Sequence, residues 1–94
     1  MEEDEAKKLV RRIAKSGWLR TTEHCRRRMA ERNVTMEDML QVLLWGDVHE
    51  LKANPDRQNW EGLVRGFDLE KEPLAVKVAV LENDFALLCI TVHG

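Results

Sequence analysis

The sequence predicts an α+β fold in which about three N-terminal helices pack on one face of a four-stranded antiparallel sheet. Apolar residues recur with a helical period over residues 4–46, and an extended pattern replaces that period over residues 47–93. Glycine, proline and asparagine separate the segments. Because 94 residues suffice for one hydrophobic core and no more, we expect a single domain over residues 1–94.

The first helix is predicted over residues 4–15, where one apolar stripe lies opposite lysines and arginines. The stripe consists of Ala6, Leu9, Val10, Ile13 and Ala14. Gly17 is expected to stop this helix, because glycine is a poor helix former.

Thr22 is expected to cap a second helix that runs to about Arg32, since its hydroxyl can accept hydrogen bonds from the first turn. A third helix begins at the capping box that Thr35 and Asp38 form. Its apolar face consists of Met36, Met39, Leu40, Leu43 and Leu44. Gly46 is expected to end it in the left-handed conformation.

The first two strands are predicted over Val48 to Lys52 and Trp60 to Leu69, with residues 53–59 as a loop. Both strands are rather polar, so we expect them nearer an edge of the sheet. Gly62 and Gly66 in the second strand indicate a bulge or a close approach to the backbone.

The last two strands are predicted over Leu74 to Leu81 and Phe85 to Val92, joined by a tight turn at Glu82 to Asp84. Both strands are apolar on each face, which is typical of the centre of a sheet. The predicted sheet is therefore an antiparallel meander with these two strands inside.

Charge is unevenly distributed in a chain whose formal net charge is −2. Eight basic and two acidic residues lie from Arg11 to Arg32, which leaves seven basic and fifteen acidic residues elsewhere. Such a basic segment can attract RNA or an acidic protein, or it can be an ordinary solvated helix surface.

No apolar run approaches the roughly 20 residues of a membrane span, and the acidic N-terminus differs from a secretory signal. We therefore expect a cytoplasmic protein with no membrane partner. Cys25 and Cys89 have apolar neighbours and are expected to be buried thiols.

The densest group of reactive side chains lies on the second helix. His24, Arg28 and Arg32 are spaced four residues apart, so that successive members are offset by about 40° around the helix. An imidazole can transfer a proton near neutral pH, and arginine can hold a phosphate. These groups would serve metal-independent RNA cleavage. Alternatively, His24 caps the helix start and the arginines pair with acidic groups of the same chain.

Four further residues are candidates for the same site. Arg65 alternates with apolar neighbours on the second strand, and its partner is expected to be a structural carboxylate or a bound phosphate. Thr91 and His93 share a face of the last strand, where His93 is either a solvated side chain or part of the site. Arg27 belongs to the basic segment of the second helix.

No metal or cofactor is expected. The histidines and cysteines lack the close spacing of zinc ligands. The sequence contains no glycine-rich phosphate loop, nucleophile elbow or dinucleotide fingerprint, so it gives no support to ATP hydrolysis or to NAD-dependent redox chemistry.

The segment from Thr22 to Val34 resembles a bacterial domain family whose motif reads S/T-x-H-A-x-x-R-M-x-x-R-G-I. The resemblance continues through residues 35–48 and through the two last strands, and it covers residues 20–93. Asn33 stands where the motif has glycine, and asparagine tolerates the left-handed conformation that ends such a helix.

That family is similar to the RelE and barnase-like endoribonucleases, which include the toxins of bacterial toxin–antitoxin pairs. The resemblance implies helices against an antiparallel sheet, RNA as substrate and a cognate antitoxin as protein partner. It also implies that the active-site surface includes His24, Arg28, Arg32 and Arg65.

Together these patterns lead to one main hypothesis and one alternative. The main hypothesis is a toxin-like, metal-independent endoribonuclease with His24, Arg28 and Arg65 as catalytic residues. Its substrate-binding residues are Arg27, Arg32, Thr91 and His93. The alternative is a non-catalytic module that binds an acidic protein partner through the basic helix.

Overall fold

The computed structural model describes residues 1–56 and 59–94, and these residues form three α-helices and five β-strands. In chain order the elements are α1 (Glu3–Ser16), β1 (Trp18–Thr21), α2 (Glu23–Arg32), α3 (Met36–Trp45), β2 (Asp47–Asn54), β3 (Asn59–Phe67), β4 (Pro73–Leu81), a 3₁₀ turn (Glu82–Asp84) and β5 (Ala86–His93).

The strand β1 corrects the predicted sheet. It pairs in parallel with β5, so that Trp18 lies opposite Ala86 and Thr21 lies opposite Cys89. The sheet order is β1-β5-β4-β3-β2, and the sheet is mixed. The expectation of four antiparallel strands was wrong because β1 is too short to show strand periodicity, and its partner lies far along the chain.

The other strands form the predicted antiparallel meander. β4 and β5 lie inside the sheet and β2 lies at an edge, as their apolar and polar compositions indicated. The predicted loop over residues 53–59 is shorter than expected, since β2 extends to Asn54 and β3 begins at Asn59. Residues 57 and 58 of that loop lie outside the described residues.

Two irregularities shape the sheet. β2 is bulged between His49 and Lys52, where Glu50 has a positive φ of 52°. The pairing of β4 with β5 is also irregular. Lys77 lies opposite Thr91, whereas the next residue of β4, Val78, lies opposite Cys89. The bulge suggested by the glycines of β3 therefore lies on its partner β2.

The helices cover one face of the sheet, and a single apolar cluster fills the space between them. α1 contributes Ala6, Val10 and Ile13, which belong to the predicted stripe. α3 packs on β3 and β4, while α2 contacts β5. The fully buried core side chains of the sheet include Val64, Val76, Val78, Val80, Leu87, Cys89 and Val92. The opposite face of the sheet, called here the outer face, points away from the helices.

The ends of α2 and α3 test the capping residues predicted from the sequence. Thr22 caps α2, and Thr35 with Asp38 forms the predicted capping box of α3. Asn33 ends α2 in the left-handed region, with φ 55° and ψ 38°. Gly46 was expected to be left-handed as well, but its backbone is extended, with φ −78° and ψ 173°.

Close packing explains why a glycine is found at position 46. A Cβ at Gly46 would lie 2.6 Å from the carbonyl oxygens of both Val42 and Arg65. A Cβ at Gly66 would lie 3.3 Å from Cα of Gly46, so the end of α3 and β3 approach each other closely. Among the described helices, none combines the length and apolar composition needed to cross a bilayer.

Candidate functional site

Thr22 fixes the start of α2 against the last strand. Its hydroxyl oxygen accepts a hydrogen bond from the Cys25 amide at 3.0 Å and donates one to the Ile90 carbonyl at 3.0 Å. Its own amide donates to the Cys89 carbonyl at 3.1 Å. Because β1 ends at Thr21, α2 continues along the same edge of β5 beyond that strand. The cap therefore determines where the first turn of the helix lies.

His24 lies in that first turn and is exposed. Its Nε2 lies 3.2 Å from the hydroxyl oxygen of Thr91, and either atom can be the donor, depending on the imidazole tautomer. Within residues 1–56 and 59–94, no carboxylate lies within ion-pair distance of this imidazole. The structure thus places His24 at the surface with a neutral partner from β5.

The arginines of α2 differ in their surroundings. Arg28 is 27% exposed, and its Nη1 lies 3.7 Å from a carboxylate oxygen of Glu31. Arg32 is exposed, and its Nη1 lies 3.4 Å from where a Cβ on Gly94 would be. Arg27 is exposed on the same helix. α2 therefore runs beside β5 from Thr91 to Gly94, with His24 near one end of this path and Arg32 near the other.

Two rows of opposed residues cross the outer face. Leu63, Lys77 and Thr91 form one row, and Arg65, Ala75 and His93 form the next. Directly opposed residues of antiparallel strands share a face of the sheet. Thr91 and His93 therefore lie on one surface with Lys77, a cation that the sequence analysis did not single out.

Arg65 lies at the far end of its row, away from His24. Two strand spacings separate it from His93, or about 10 Å between backbones. The side chain of Arg65 is 60% exposed, and its Nη2 lies 4.0 Å from a carboxylate oxygen of Glu50. The expected alternatives for its partner were a carboxylate and a phosphate, and the structure supplies the carboxylate. The structure thus brings Thr91 to His24 but leaves Arg65 apart.

A cavity of about 360 Å³ opens on the outer face. The half of β2 beyond its bulge forms one wall, and the lining includes Asn54, Pro55, Glu61, Leu63, Lys77 and His93. Since Lys77 is directly opposite Thr91, this cavity adjoins the residue that contacts His24.

Four charged residues line the cavity, namely Glu50, Lys52, Glu61 and Lys77. One Glu61 carboxylate oxygen accepts a hydrogen bond from Asn54 Nδ2 at 3.0 Å, and Lys77 Nζ lies 3.9 Å from the other. Sequence analysis missed both residues, because single charges on strands resemble solvated side chains. Their sequence spacing gives no direct signal, and the pairing register is what brings them together.

The histidines do not assemble into a shared group with the cysteines. His49 lies on the edge strand β2, whereas His24 and His93 lie toward the opposite edge of the sheet. In the described part of the chain, no three side chains of His, Cys, Asp or Glu come together as a group that could hold a metal ion.

Both thiols are buried in the apolar cluster, whereas the His24 side chain is exposed. Burial raises the pKa of Cys89 to about 12, with a further increase from the neighbouring Cys25. Burial also raises the pKa of Cys25, and the nearby Arg26 guanidinium opposes that increase. Neither thiol has the exposed, positively charged environment of a reactive nucleophile.

Comparison with known protein families matches residues 21–93 with a domain of unknown function, DUF4258. Searches of curated proteins and of solved structures give no match for the chain. The matched segment contains α2, α3 and β2 through β5, and so includes His24, Thr91 and the outer-face cavity. α1 precedes the segment, as does most of β1.

Proposed function

The chain belongs to the DUF4258 family, and we propose that its domain is a toxin-like, metal-independent endoribonuclease. The exposed contact between His24 and Thr91 carries this proposal. A histidine that served only the fold would be expected to lie buried or to pair with a carboxylate of the chain. His24 instead presents its ring to solvent beside basic side chains of α2, where a phosphate could approach it.

The reaction that suits these groups is transesterification of RNA at the ribose 2′-hydroxyl. A general base removes the 2′-hydroxyl proton, and the resulting oxygen attacks the adjacent phosphorus. The bond from phosphorus to the 5′-oxygen then breaks, and that oxygen takes a proton from a general acid. The products are a 2′,3′-cyclic phosphate and a free 5′-hydroxyl. His24 acts as the base or the acid. His93, two residues beyond Thr91 on β5, is the second imidazole in this region.

Cations around His24 would stabilise the negative charge that develops on the phosphate. Arg28 lies one helical turn beyond His24, and Lys77 lies directly opposite Thr91. Arg27 and Arg32 extend the positive surface along α2 and would bind neighbouring phosphates. Arg65 lies about two strands away from His93, so we assign it to a more distant phosphate rather than to the reacting one.

The toxin part of the proposal rests on the sequence resemblance to RelE and barnase-like endoribonucleases. Helices on one face of a sheet agree with that resemblance at the level of fold class. A toxin of this kind would be held inactive by a cognate antitoxin. Because α2 carries four arginines and contains His24, an acidic antitoxin segment laid along it would block the entry of RNA.

The same exposed arginines favour a second candidate function. Arg27 and Arg32 lie along α2 and could hold an acidic protein without any catalysis. Arg26 already donates hydrogen bonds to the Thr21 carbonyl and hydroxyl oxygens at 2.8 and 3.1 Å, which link the start of α2 to the end of β1. On this alternative, α2 would be a preformed docking surface.

The two functions separate in an RNA cleavage assay. A fluorescent, mixed-sequence RNA is incubated in EDTA with the wild-type protein, with His24→Ala and with His49→Ala. His49 is the matched control, because it is an exposed histidine on the edge strand β2, three strands away from the Thr91 that contacts His24. We expect His24→Ala to lower the cleavage rate by about 10²-fold or more, and His49→Ala to change it less than about twofold.

The products provide an independent check of the mechanism. Fragments from the wild-type reaction should carry 2′,3′-cyclic phosphate ends and 5′-hydroxyl ends. An intact RNA after incubation with the wild-type protein would rule out the endoribonuclease. Equal rates for the wild-type protein and His24→Ala would remove His24 from the mechanism.

A further inference from the structure

β1 is one edge of the sheet, and no strand in the described part of the chain pairs with its outward side. The other edge strand, β2, is interrupted by a bulge at which Glu50 has a positive φ of 52°, and such a bulge hinders pairing with a further strand. β1 has no bulge, because all four of its residues pair with β5 in one continuous register. It therefore presents an edge to which another strand can be added.

The hydrogen bonds of β1 show which of its backbone groups point outward. The amides of Trp18 and Thr22 point toward β5, each with a hydrogen bond of 3.1 Å on that side. Across a planar trans peptide bond the preceding carbonyl points the opposite way, so the carbonyl oxygens of Gly17 and Thr21 face the open edge. By the same alternation, Leu19 presents both its amide and its carbonyl oxygen to that edge, and Thr21 presents its amide.

Two of these outward groups already have partners in the chain. The Gly17 amide donates to the Ile13 carbonyl oxygen at 2.7 Å, and the Thr21 carbonyl oxygen accepts from Arg26 at 2.8 Å. Within residues 1–56 and 59–94, no hydrogen bond occupies the Gly17 carbonyl oxygen, the Thr21 amide or either backbone group of Leu19. The free donors and acceptors are thus arranged symmetrically about Leu19.

This arrangement is complementary to a second copy of itself. In an antiparallel pair of β1 strands with a two-fold axis at Leu19, each Leu19 amide would donate to the Leu19 carbonyl oxygen of the other copy. Each Thr21 amide would donate to the Gly17 carbonyl oxygen of the other copy. The occupied Gly17 amide and Thr21 carbonyl oxygen would then lie opposite each other, so that no existing hydrogen bond is lost.

We propose that two copies of this chain associate through β1 and so join their sheets into one. This association does not rest on the proposed function, and it is measured without RNA. The interface is closed, because the two-fold axis uses the open edge of both copies at once.

The side chains in this register are also complementary. Trp18 is 69% exposed, and Arg20 is exposed two residues further along the same face of β1. Each Trp18 would lie directly opposite Arg20 of the second copy, which permits two cation–π contacts. The end of α1, with Lys15, would lie beside the start of the second copy's α2, with Glu23 of opposite charge. An acidic peptide would match Arg20 and Lys15 but would meet like charge at Glu23, so the charges favour a second copy.

Sedimentation equilibrium of the full chain over about a hundredfold range of concentration measures the association. We expect the mass to rise from one chain toward two chains and to stop there, because a two-fold interface closes on itself. Hydrogen exchange at the same concentrations should show protection of the Leu19 and Thr21 amides only where the dimer is populated. These amides report on the interface specifically, since they point away from β5.

Substitutions of Trp18 test the register. Trp18→Arg places an arginine opposite Arg20 of the second copy and should weaken the dimer about tenfold or more. Combining Trp18→Arg with Arg20→Glu sets opposite charges against each other and should restore most of the affinity. Phe67→Arg is the matched control, because Phe67 is an exposed aromatic residue on β3, three strands from β1, and it should change the affinity less than about twofold. Thermal melts of each variant show whether the fold persists.

A mass of one chain at every concentration, or a mass that grows beyond two chains, would overturn the proposal. So would an unchanged affinity in Trp18→Arg, or a double variant that binds no more tightly than Trp18→Arg. Association without protection of the Leu19 and Thr21 amides would place the interface elsewhere and reject β1. A peptide of alternating glutamate and valine probes the other occupant: protection of these amides by the peptide in a monomeric chain would assign the edge to an acidic strand instead of a second copy.

Discussion

Nε2 of His24 lies 3.2 Å from the hydroxyl oxygen of Thr91, and this contact joins the first turn of α2 to the outer face of β5. Backbone and capping hydrogen bonds from Thr22 hold the helix against the same strand. A hydrogen bond at one ring nitrogen restricts the orientation of the imidazole. We therefore regard Thr91 as a positioning residue for the proton transfer assigned to His24.

Replacement of Thr91 tests this role directly. Thr91→Val removes the hydroxyl but keeps a β-branched side chain suited to a strand, so stability should change by less than about 1 kcal/mol. We expect kcat for RNA cleavage to fall about tenfold with KM nearly unchanged. Thr91→Ser should restore most of kcat, because it restores the hydroxyl. A Thr91→Val protein as active as the wild type would contradict the positioning role.

The buried thiols should resist modification in the folded protein. Burial raises the pKa of both, to about 12 for Cys89, so few thiolates exist at about pH 8 and reagent access is blocked. We expect negligible reaction of the native chain with Ellman's reagent, and reaction of both thiols in urea. Prompt release of one equivalent of reporter from native protein would show that a cysteine is accessible.

Asp38 gives the fold a pH-dependent contribution. Hydrogen bonds from the backbone amides of Thr35 and Leu69 lower the pKa of this carboxyl below its usual value of 3.8. A group with a lowered pKa in the folded state stabilises the fold above its unfolded pKa, and this contribution disappears as the pH falls through the folded value. Stability from Asp38 should therefore be complete at neutral pH and decrease below about pH 4.

Urea unfolding measures this effect. At pH 7 we expect Asp38→Ala to lower the free energy of unfolding by about 1 kcal/mol, because the capping box and the bond to Leu69 are lost. The difference from the wild type should shrink as the solution is acidified through the folded pKa. Glu37→Ala is the neighbouring control and should cost less than about 0.5 kcal/mol. A pH-independent difference for Asp38→Ala would contradict the assignment.

Gly46 should be intolerant of any side chain. A Cβ there would lie 2.6 Å from two backbone carbonyl oxygens, which cannot move without shifting α3 or β3. We expect Gly46→Ala to lower the free energy of unfolding by about 3 kcal/mol, measured by urea or thermal unfolding. At Gly62 the nearest atom is 3.2 Å away on the Val48 side chain, so Gly62→Ala should cost less. Equal losses for the two variants would show that close packing at Gly46 is not the cause.

Local signals in the sequence predicted the helices well. Thr22, Thr35 and Asn33 act within a few residues of their own positions, so each specifies a helix end without knowledge of the rest of the fold. Gly46 was misjudged, because its requirement is space against Arg65 rather than a left-handed backbone. That requirement depends on tertiary packing, which the local sequence does not contain.

The sheet and the site depend on contacts between distant segments. Trp18 to Thr21 form a strand because β5 supplies a partner, and four residues are too few to show this by pattern. His24 was predicted on the correct helix, but its contact with Thr91 requires α2 to lie along β5. Glu61 and Lys77 converge through the register of β3 and β4, and so the cavity was not foreseen.

The parallel pairing of β1 with β5 has a consequence for biosynthesis. Thr22, which follows β1, and its hydrogen-bond partner Ile90 are 68 positions apart. The pairing of β1 with β5 therefore cannot form until nearly the whole domain has left the ribosome. Contacts of such long sequence separation form slowly. A recombinant fragment that started at residue 21, where the family match begins, would leave the amides and carbonyls of β5 unpaired along one side. Such an open strand can recruit another chain, and aggregation of that fragment is the expected result.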